Sequence, residues 1–382
     1  MKPLTRTIAN QPSWIMRTKE IELAVTQLGG HMAPVTFYRN TSRPVRPYYV
    51  NPWHGEREQP TEPVLKSLRG DFFCMPFGSP DEFTKRFPAT HGDPACEKWS
   101  LAGMEKRGDV TTLVLRMKGR RIRGSYTKCL MLVDGQQVVY DQNVMEGFSG
   151  SFPIGHHATL AMPDRNETVL IATSPIRVGM TNPVDTGDPA DGRYQAVATG
   201  RRFASLSRVP LVWSSPSHGD CSSLPTRRGF TDIIGVVQKH SELPAWTAAT
   251  YISEGFLWFS LKDASVLPMM MMWIANCGRH VHPWNGRERC LGLEDIRAFF
   301  TAGAIGSARP NAMSRMGIPT AMKFVPCCPV AVNYIQGVIK TPAGFGRVKT
   351  AQFAPEKVTF ISESGKKATA AVRHEFLATG EL

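Results

Sequence analysis

The stretch YTKCLMLVDGQQVVYDQNV, residues 126–144, predicts the type of fold. Apolar and polar residues alternate on both sides of Asp134 and Gly135, and an Asp-Gly pair favours the tight turn of a β-hairpin. A second hairpin is expected at Ser364 and Gly365, between the segments VTFI and TAAV. Two antiparallel strand pairs are therefore predicted from local pattern alone.

Similar short apolar or β-branched segments recur along the rest of the chain, at residues 21–30, 110–119, 168–173, 231–238 and 254–261. The 33 glycines and 29 prolines leave few stretches for a long amphipathic helix, and LGLEDIRAFFTAGAIGSA (291–308) is the best helical candidate. Strands do not alternate with regular helices, which argues against a doubly wound parallel sheet. The predicted class is all-β, mainly antiparallel, with few short helices.

The length of 382 residues fits two domains or one large β domain. Because the chain has neither an internal repeat nor a low-complexity linker, we expect a single domain over residues 1–382. Residues 42–63 and 181–194 are rich in turn-forming residues and are interpreted as long surface loops over the sheets. Loops of this kind on a rigid scaffold often carry binding groups.

Composition narrows the function classes. Hydrophobic residues make up 42% of the chain and charged residues 20%, values typical of a folded, water-soluble protein. The excess of 45 basic over 32 acidic residues, a net charge of +13, favours anionic substrates or partners. The basic residues are dispersed rather than interleaved with aromatic residues, which argues against nucleic acid as a partner.

The lack of a targeting signal in the sequence and the pattern of its cysteines predict a cytoplasmic protein. The N-terminal sequence lacks an apolar signal segment, and no run is long enough to span a membrane, so a cytoplasmic protein without a membrane partner is expected. The eight cysteines include no C-x-x-C pair. Neither a disulfide framework nor a zinc ribbon is therefore indicated.

Polar residues in three apolar segments are candidates for chemistry. In LRGDFFCMPFG (68–78), Arg69 either pairs with Asp71 to hold a loop or presents its guanidinium to a ligand. His91, followed by a glycine, is either a turn residue or a site residue. His156 and His157 lead into an apolar run, and in a strand only one of two adjacent side chains can face a given pocket.

The segment MMMMWIANCGRHVHPWNGRERCLGLED (269–295) is the fourth candidate region. Its methionine run is interpreted as a buried strand. His280 and His282 would give a metal only two ligands and no third is evident, so no metal site is expected. A carboxylate such as Glu294 in an apolar strand costs free energy unless it is paired or used. Trp284 and Arg287 lie between these groups in the sequence.

Together these residues are typical of a sugar site with general acid–base chemistry. Tryptophan rings cover the apolar face of a pyranose, arginine and histidine bind hydroxyls, and an acid and a base exchange protons. The sequence contains no G-x-S-x-G, no Walker lysine loop, no G-x-G-x-x-G after a strand and no H-E-x-x-H.

The order of several short motifs resembles that of a known superfamily. A strand ending in GGH (29–31) is followed by the turn GDFFCMPFG, an HG with a later Trp, a histidine in HATL (157–160), and a strand ending in Glu in LGLE. In this order, over roughly residues 20–376, the chain resembles the galactose mutarotase-like superfamily of aldose 1-epimerases and hexose-6-phosphate mutarotases.

The resemblance implies a large antiparallel β-sandwich with its site in a groove across one sheet. It implies that His157 is the general acid on the ring oxygen and Glu294 the general base on the anomeric hydroxyl, with His91 and Arg69 as sugar contacts. His156, Trp284 and Arg287 complete the predicted substrate-binding set. Proton transfer alone drives such a reaction, so no cofactor is implied.

Two departures from the family pattern bear on activity. Leu160 replaces the aromatic residue of an H-x-Y-F pattern, and Asp295 follows Glu294 where many members carry Pro or Ala. The leading hypothesis is an aldose or hexose-phosphate 1-epimerase acting on a small sugar or sugar phosphate. The alternative is a non-catalytic carbohydrate-binding protein on the same fold. Either could be a monomer or a homodimer.

Overall fold

The computed structural model describes residues 3–80 and 89–382, and its strands pair antiparallel in every ladder between named strands. The all-β prediction is confirmed. Residues 1, 2 and 81–88, which the single-domain prediction includes, lie outside the described residues.

The strands of the first half of the chain are β1 (Leu4–Ile8), β2 (Gln11–Arg17), β3 (Glu22–Thr26), β4 (Met32–Thr36), β5 (Phe73–Cys74), β6 (Ser100–Arg107), β7 (Val110–Lys118), β8 (Ser125–Val133), β9 (Val138–Glu146), β10 (Gly150–Phe152), β11 (Ile154–His156), β12 (Ala158–Ala161), β13 (Val169–Thr173) and β14 (Ile176–Thr181). Those of the second half are β15 (Arg202–Phe203), β16 (Val209–Pro210), β17 (His218–Gly219), β18 (Ser223–Leu224), β19 (Phe230–Gln238), β20 (Ala245–Tyr251), β21 (Phe256–Lys262), β22 (Met269–Asn276), β23 (Arg289–Arg297), β24 (Met322–Phe324), β25 (Val330–Lys340), β26 (Val348–Ala354), β27 (Lys357–Ser362) and β28 (Lys367–Ala371). The helices are α1 (Pro63–Ser67), α2 (Gly92–Cys96), α3 (Gly303–Ala308) and α4 (Phe376–Thr379), with 3-10 turns at Pro189–Asp191 and Ser314–Met316.

Two large sheets form the body of the fold. An eight-stranded sheet has the order β15-β14-β19-β22-β23-β11-β5, with β12 also paired to β23, and a nine-stranded sheet has the order β18-β13-β20-β21-β25-β9-β8-β7-β6. Both predicted hairpins are confirmed, since β8 pairs with β9 and β27 with β28. A four-stranded sheet (β1–β4) and a three-stranded sheet (β26–β28) complete the main framework.

The cores show how the sheets stack. Met270 and Met272 of the eight-stranded sheet share one apolar cluster with Leu130 and Val332 of the nine-stranded sheet, so the two sheets face each other as a sandwich. The opposite face of the nine-stranded sheet packs against β27 and α4. The outer face of the eight-stranded sheet carries a further cluster that includes Met271 and Trp273. Below, "inner face" means the side of the eight-stranded sheet toward the sandwich core, and "outer face" the opposite side.

The methionine run is a buried strand, as predicted: every residue of β22 is buried, with alternate side chains in the two clusters. The helix predicted for residues 291–308 is wrong. Residues 289–297 form β23, which lies between β22 and β11 or β12, and only 303–308 are helical. A strand buried on both faces reads as a continuous apolar run, which periodicity cannot distinguish from a buried helix.

Irregular chain covers part of the outer face. Within residues 42–62 the described strand pairing consists of isolated bridges, such as Tyr48 with Leu160 and Val50 with Arg69, and residues 182–194 contain one 3-10 turn. Of the helices in the described part of the chain, none has the length and apolar character needed to cross a membrane.

Candidate active site

His157 and Glu294 face each other across two paired strands. The register of β12 against β23 places Ala158 opposite Leu293, and continuing it by one residue places His157 opposite Glu294. His157 Nε2 lies 3.4 Å from Glu294 Oε1. The two residues that the sequence singled out as acid and base are therefore in direct contact.

The pair lies in a groove of about 560 Å³ on the outer face of the eight-stranded sheet. The sheet, α1 and both irregular stretches contribute side chains to it. Lining residues include Glu62, Leu65, Phe72, His91, His157, Asp185, Arg193, Ile233, Met271, Trp273, Arg279, His282, Trp284 and Glu294. His91 and Trp284, both predicted sugar contacts, are thus in the same groove as the acid–base pair.

Burial sets the electrostatics of the pair. Glu294 is 1% exposed and His157 5% exposed. Burial raises the pKa of Glu294 well above its ordinary value, and the Arg279 guanidinium partly opposes that shift. Burial lowers the pKa of His157 well below its ordinary value, and the neighbouring His91 lowers it further. Both shifts favour the uncharged forms of the two groups.

His91 presents an imidazole edge to this pair. Its ring centroid is 4.9 Å from that of His157, nearly perpendicular at 89°, and its backbone is left-handed with φ 62°. The backbone N–H of Gly78 donates to His91 Nδ1 over a long 3.4 Å, so Nε2 carries the hydrogen of the neutral ring. Burial lowers the pKa of His91 to about 3. The ring is therefore a neutral donor for a ligand hydroxyl.

Two tryptophans and an arginine form one wall of the groove. The Arg279 guanidinium carbon lies 5.4 Å from the Trp273 ring centroid and 5.0 Å from the Trp284 ring centroid. Within the described residues this guanidinium has no side-chain hydrogen bond or ion pair. Sequence reasoning missed Arg279, although it lies between the two tryptophans in the segment that was singled out.

Gly292 is a second residue that sequence reasoning missed. It is paired with Trp273 on the neighbouring strand. A Cβ at position 292 would lie 2.5 Å from Glu294 Oε1 and 3.0 Å from the Trp273 Cβ. The glycine leaves space for the carboxyl group to face His157. The only sequence signal was a glycine inside a strand-like run, which often marks a close approach.

Three predicted sugar contacts lie outside the groove. The Arg69 guanidinium is fully buried and donates to the carbonyl oxygens of Ser67, Ile8 and Ala9, so it neither pairs with Asp71 nor reaches the groove. Arg287 forms an ion pair of 2.5 Å with Glu56. The expectation that Arg69 and Arg287 bind substrate is therefore corrected, since their guanidinium groups are occupied elsewhere.

The prediction that His156 contacts the substrate is also corrected. Strand alternation turns it away from His157, to the inner face, where Nδ1 lies 2.9 Å from Asp71 Oδ2 and the ring stacks on Tyr334 at 4.1 Å. Asn143 approaches its Nε2 at 3.4 Å. His156 is a core residue with polar partners and lies outside the groove.

Metal-ligand geometry within the described residues does not involve His280 or His282. The one group of ligand-type side chains found there is Asp71, Asp141 and His156, whose ligand atoms lie within 4.8 Å of one another on the inner side. The Lys128 ammonium lies 2.5 Å from Asp141 Oδ2. A lysine thus already supplies a positive charge beside this trio.

Polar atoms without partners converge on the groove. Glu294 Oε2 and Trp273 Nε1 are buried and make no hydrogen bond with any described residue. Buried polar atoms usually have partners, and a groove that leaves an acceptor, a donor and a cation unpaired is suited to a polar ligand. Apolar tryptophan faces beside these atoms match the mixed character of a sugar.

No protein-family profile and no curated protein matches this sequence. Solved structures do match it. A candidate mutarotase from Salmonella typhimurium superposes with a TM-score of 0.59 at 8% identity, covering 89% of this chain and 96% of that one. A galactose mutarotase-like protein from Clostridium acetobutylicum gives 0.58 at 9% identity, over 88% and 97% of the two chains. A candidate aldose 1-epimerase from Escherichia coli gives 0.54 at 12% identity, over 85% and 98%. At these identities the likeness establishes architecture, and the chain has the fold of the galactose mutarotase-like superfamily.

Proposed function

We propose that this protein is an aldose or hexose-phosphate 1-epimerase, an isomerase that interconverts sugar anomers. The observation that carries the proposal is the 3.4 Å contact between His157 Nε2 and Glu294 Oε1 inside a tryptophan-lined groove. Solved proteins of the same fold are described as candidate mutarotases and aldose 1-epimerases, which supports the reaction class.

The reaction needs one proton donor and one proton acceptor. A proton added to the ring oxygen and a proton removed from the anomeric hydroxyl open the pyranose to an aldehyde. Rotation about the bond between C1 and C2, followed by the reverse transfers, closes the ring with the other face of C1 exposed. His157 and Glu294 are the pair suited to these transfers, which general acid–base catalysis accelerates by roughly 10²–10⁴-fold each.

His91, Trp273 and Trp284 bind and orient the sugar in this proposal. His91 donates from Nε2 to a hydroxyl, while the tryptophan rings cover the apolar face of the pyranose. Holding the ring in one orientation is what converts an acid and a base near each other into a catalyst.

A second candidate is a carbohydrate-binding protein without catalysis. It is favoured by the depth of the pair: both residues are at most 5% exposed and their side chains face each other, so a sugar has to part them before proton transfer. In this case the groove binds the sugar while the acid and base stay in mutual contact.

Anomer exchange measured on the purified chain separates the two candidates. Freshly dissolved α-glucose and α-glucose 6-phosphate are followed by polarimetry, and exchange between anomers at equilibrium by NMR. The epimerase predicts acceleration over the buffer rate, and Glu294→Gln is expected to remove it because an amide cannot exchange the proton. Glu56→Gln, at a carboxylate outside the groove, is the control.

Retention of more than about a tenth of the wild-type rate by Glu294→Gln would contradict the role of Glu294, given the size of acid–base effects. Saturable sugar binding without acceleration would establish the second candidate. If no aldose tested is bound and none is interconverted faster than in buffer, both candidate functions are ruled out.

A further inference from the structure

Cys327 and Cys328 are consecutive cysteines in the turn that joins β24 to β25. Both residues are exposed, whereas the other six cysteines of the chain are buried or half-buried. The two sulfur atoms lie 3.7 Å apart. Free cysteine is usually a core residue, so two exposed thiols in contact are an uncommon arrangement. The turn therefore presents a dithiol to solvent.

The backbone fixes where the two thiols lie. The N–H of Cys328 donates to the Val325 carbonyl oxygen at 2.9 Å, which closes a four-residue turn with Pro326 at its second position. Proline is favoured at that position because its ring sets φ near about −65°. Residues 325–329 are all exposed, and a second proline, Pro329, directly precedes β25. A ligand in solvent can therefore approach this turn.

The remaining thiols are poor competitors for a thiol reagent. Burial raises the pKa of each of them, and a buried thiol of raised pKa is inert. These six are Cys74, Cys96, Cys129, Cys221, Cys277 and Cys290. At the turn the cause is different, because the hydrogen bond with Cys327 raises the pKa of Cys328. The two exposed sulfurs thus already interact as a pair.

The separation of these sulfurs suits one bridging atom better than a direct bond. A disulfide usually joins Cα atoms about 4.4–6.8 Å apart, whereas consecutive Cα atoms are about 3.8 Å apart. An atom that binds each sulfur at about 2.3 Å with a tetrahedral angle needs sulfurs about 3.8 Å apart. The observed 3.7 Å is close to that value. The pair is therefore arranged to chelate a single thiophilic atom.

The number of available ligands selects the kind of atom. A zinc ion takes four ligands, and in the described part of the chain no group of three or more ligand-type side chains includes Cys327 or Cys328. Trivalent arsenic can bond to two sulfurs and keep its third bond for an organic group, so two thiols complete its requirement. Cysteine sulfur is also the soft ligand that thiophilic atoms prefer.

We propose that Cys327 and Cys328 form a binding site for trivalent arsenicals, compounds of the type R–As=O. The step is a condensation in which two As–S bonds form while two S–H bonds and the As=O bond break. Both thiol protons leave with the oxygen as water, and no oxidant or reductant is needed. Neither cysteine lines the groove that contains His157 and Glu294. The inference is therefore independent of the proposed function.

Binding of phenylarsine oxide to the freshly reduced protein tests the site. Intact-mass measurement under non-denaturing conditions is expected to show one adduct per chain, heavier by the reagent less one water. Titration with a chromogenic thiol reagent is expected to lose its two fast-reacting thiols when the adduct forms. Excess dimercaptopropanol should release the arsenical, whereas mercaptoethanol at the same thiol concentration should not, because only a dithiol replaces both bonds at once.

Single replacements test whether both sulfurs are required. Cys327→Ser and Cys328→Ser each leave one As–S bond and are expected to weaken binding by roughly 10²–10⁴-fold, the usual gain from two linked contacts. Because both residues are exposed, serine at either position should leave the fold intact, which circular dichroism checks. Cys129→Ser, at a half-buried cysteine, is the matched control and should bind the arsenical as the wild type does.

Three results would overturn the proposal: no adduct on wild-type protein whose two exposed thiols are shown to be reduced, equal affinity in either turn variant, or complete release by mercaptoethanol. Closure of the pair to a disulfide, seen as the loss of two hydrogens, together with failure of the reduced protein to bind the arsenical, would show that the direct bond is preferred. None of these readouts depends on epimerase activity, so this site and the proposed function can fail separately.

Discussion

Glu294 and Asp295 are consecutive in the chain, but their carboxyl groups lie on opposite faces of one sheet. Glu294 faces His157 in the groove, whereas Asp295 enters the sandwich core, where it pairs with Lys262 and accepts hydrogen bonds from Ser260 at 2.7 Å and Tyr334 at 2.8 Å. The second carboxylate, which in the sequence cast doubt on Glu294, is therefore outside the groove. It belongs to the inner-face partners of the strand.

The pair of Asp295 and Lys262 is expected to matter for stability. Both side chains are fully buried, so Asp295→Asn leaves the lysine charge without its partner and should lower the free energy of unfolding by about 3–5 kcal/mol. The double change Asp295→Leu with Lys262→Met removes both charges and should recover most of the loss. Urea unfolding followed by fluorescence measures both. A loss below about 1 kcal/mol in the single variant would show that the charges are not desolvated as described.

His157→Asn and His156→Asn should separate activity from stability. His157→Asn removes the group that faces Glu294 and should lower kcat by about 10²–10⁴-fold with the fold retained. His156→Asn removes the inner-face partner of Asp71 and should lower the free energy of unfolding by about 3–5 kcal/mol while the folded fraction keeps most of its kcat. Anomer exchange and urea unfolding on both proteins give the ranking. The reverse ranking would mean that the register between β12 and β23 is off by one residue.

Arg279 should give the groove a preference for anionic sugars. Its guanidinium lies at the groove wall without a side-chain ion pair in the described residues, whereas Arg287 is paired with Glu56. Arg279→Met is expected to raise KM for glucose 6-phosphate by roughly tenfold or more, the value of a charged hydrogen bond, with little change for glucose. Arg287→Met is the matched control and should leave both values unchanged. Equal KM for the two sugars in the wild type at low ionic strength, where screening is weakest, would refute the preference.

Buried histidines should make the protein less stable in acid. Burial lowers the pKa values of His31 and His91 from 6.5 to about 3. As pH falls below 6.5 the unfolded chain takes up these protons and the folded protein does not, so each site removes about 1.4 kcal/mol of stability per pH unit down to its folded pKa. Glu294 acts with the opposite sign, because its raised pKa lowers stability as pH rises through the unfolded value of 4.5.

A single variant isolates this effect. His91→Gln should reduce the slope of unfolding free energy against pH by about 1.4 kcal/mol per unit between about pH 5.5 and 4, where the unfolded histidine is protonated. His218→Gln, at an exposed histidine, is the control. Urea titrations at a series of pH values measure the slopes. The same slope in His91→Gln and wild type would show that His91 is not buried as a neutral ring.

The alternation of apolar and polar residues, together with turn-forming residues, predicted much of this fold. The hairpins at Asp134 and Ser364 have local signals, so the pairs β8–β9 and β27–β28 follow from a few residues. The helix prediction for residues 291–308 took in most of the strand Arg289–Arg297, because burial on both faces removes the alternation that marks a strand. Sheet order could not be predicted, since it depends on contacts between distant segments.

For the site, the residue types in the sequence were informative, but the sequence did not show which way each side chain points in the fold. A buried carboxylate and a histidine in an apolar run indicated Glu294 and His157 because such groups are costly unless they are used. Arg69 has the same signal, yet its guanidinium serves backbone carbonyls of β1 and its following turn. Arg279 was passed over because its approach to Trp273 and Trp284 depends on how the chain folds back after β22.

The opposed directions of His156 and His157, and of Glu294 and Asp295, limit how these strands can evolve. A shift of one residue would exchange the faces of both pairs, placing Asp295 in the groove and Glu294 in the core. Insertions or deletions of a single residue in β12 or β23 would then disrupt the groove and the sandwich core at the same time. Length changes in residues 182–194, which contribute Asp185 and Arg193 to the groove, carry no such double cost. New ligand preferences are therefore most accessible through that stretch, with the two strands held constant.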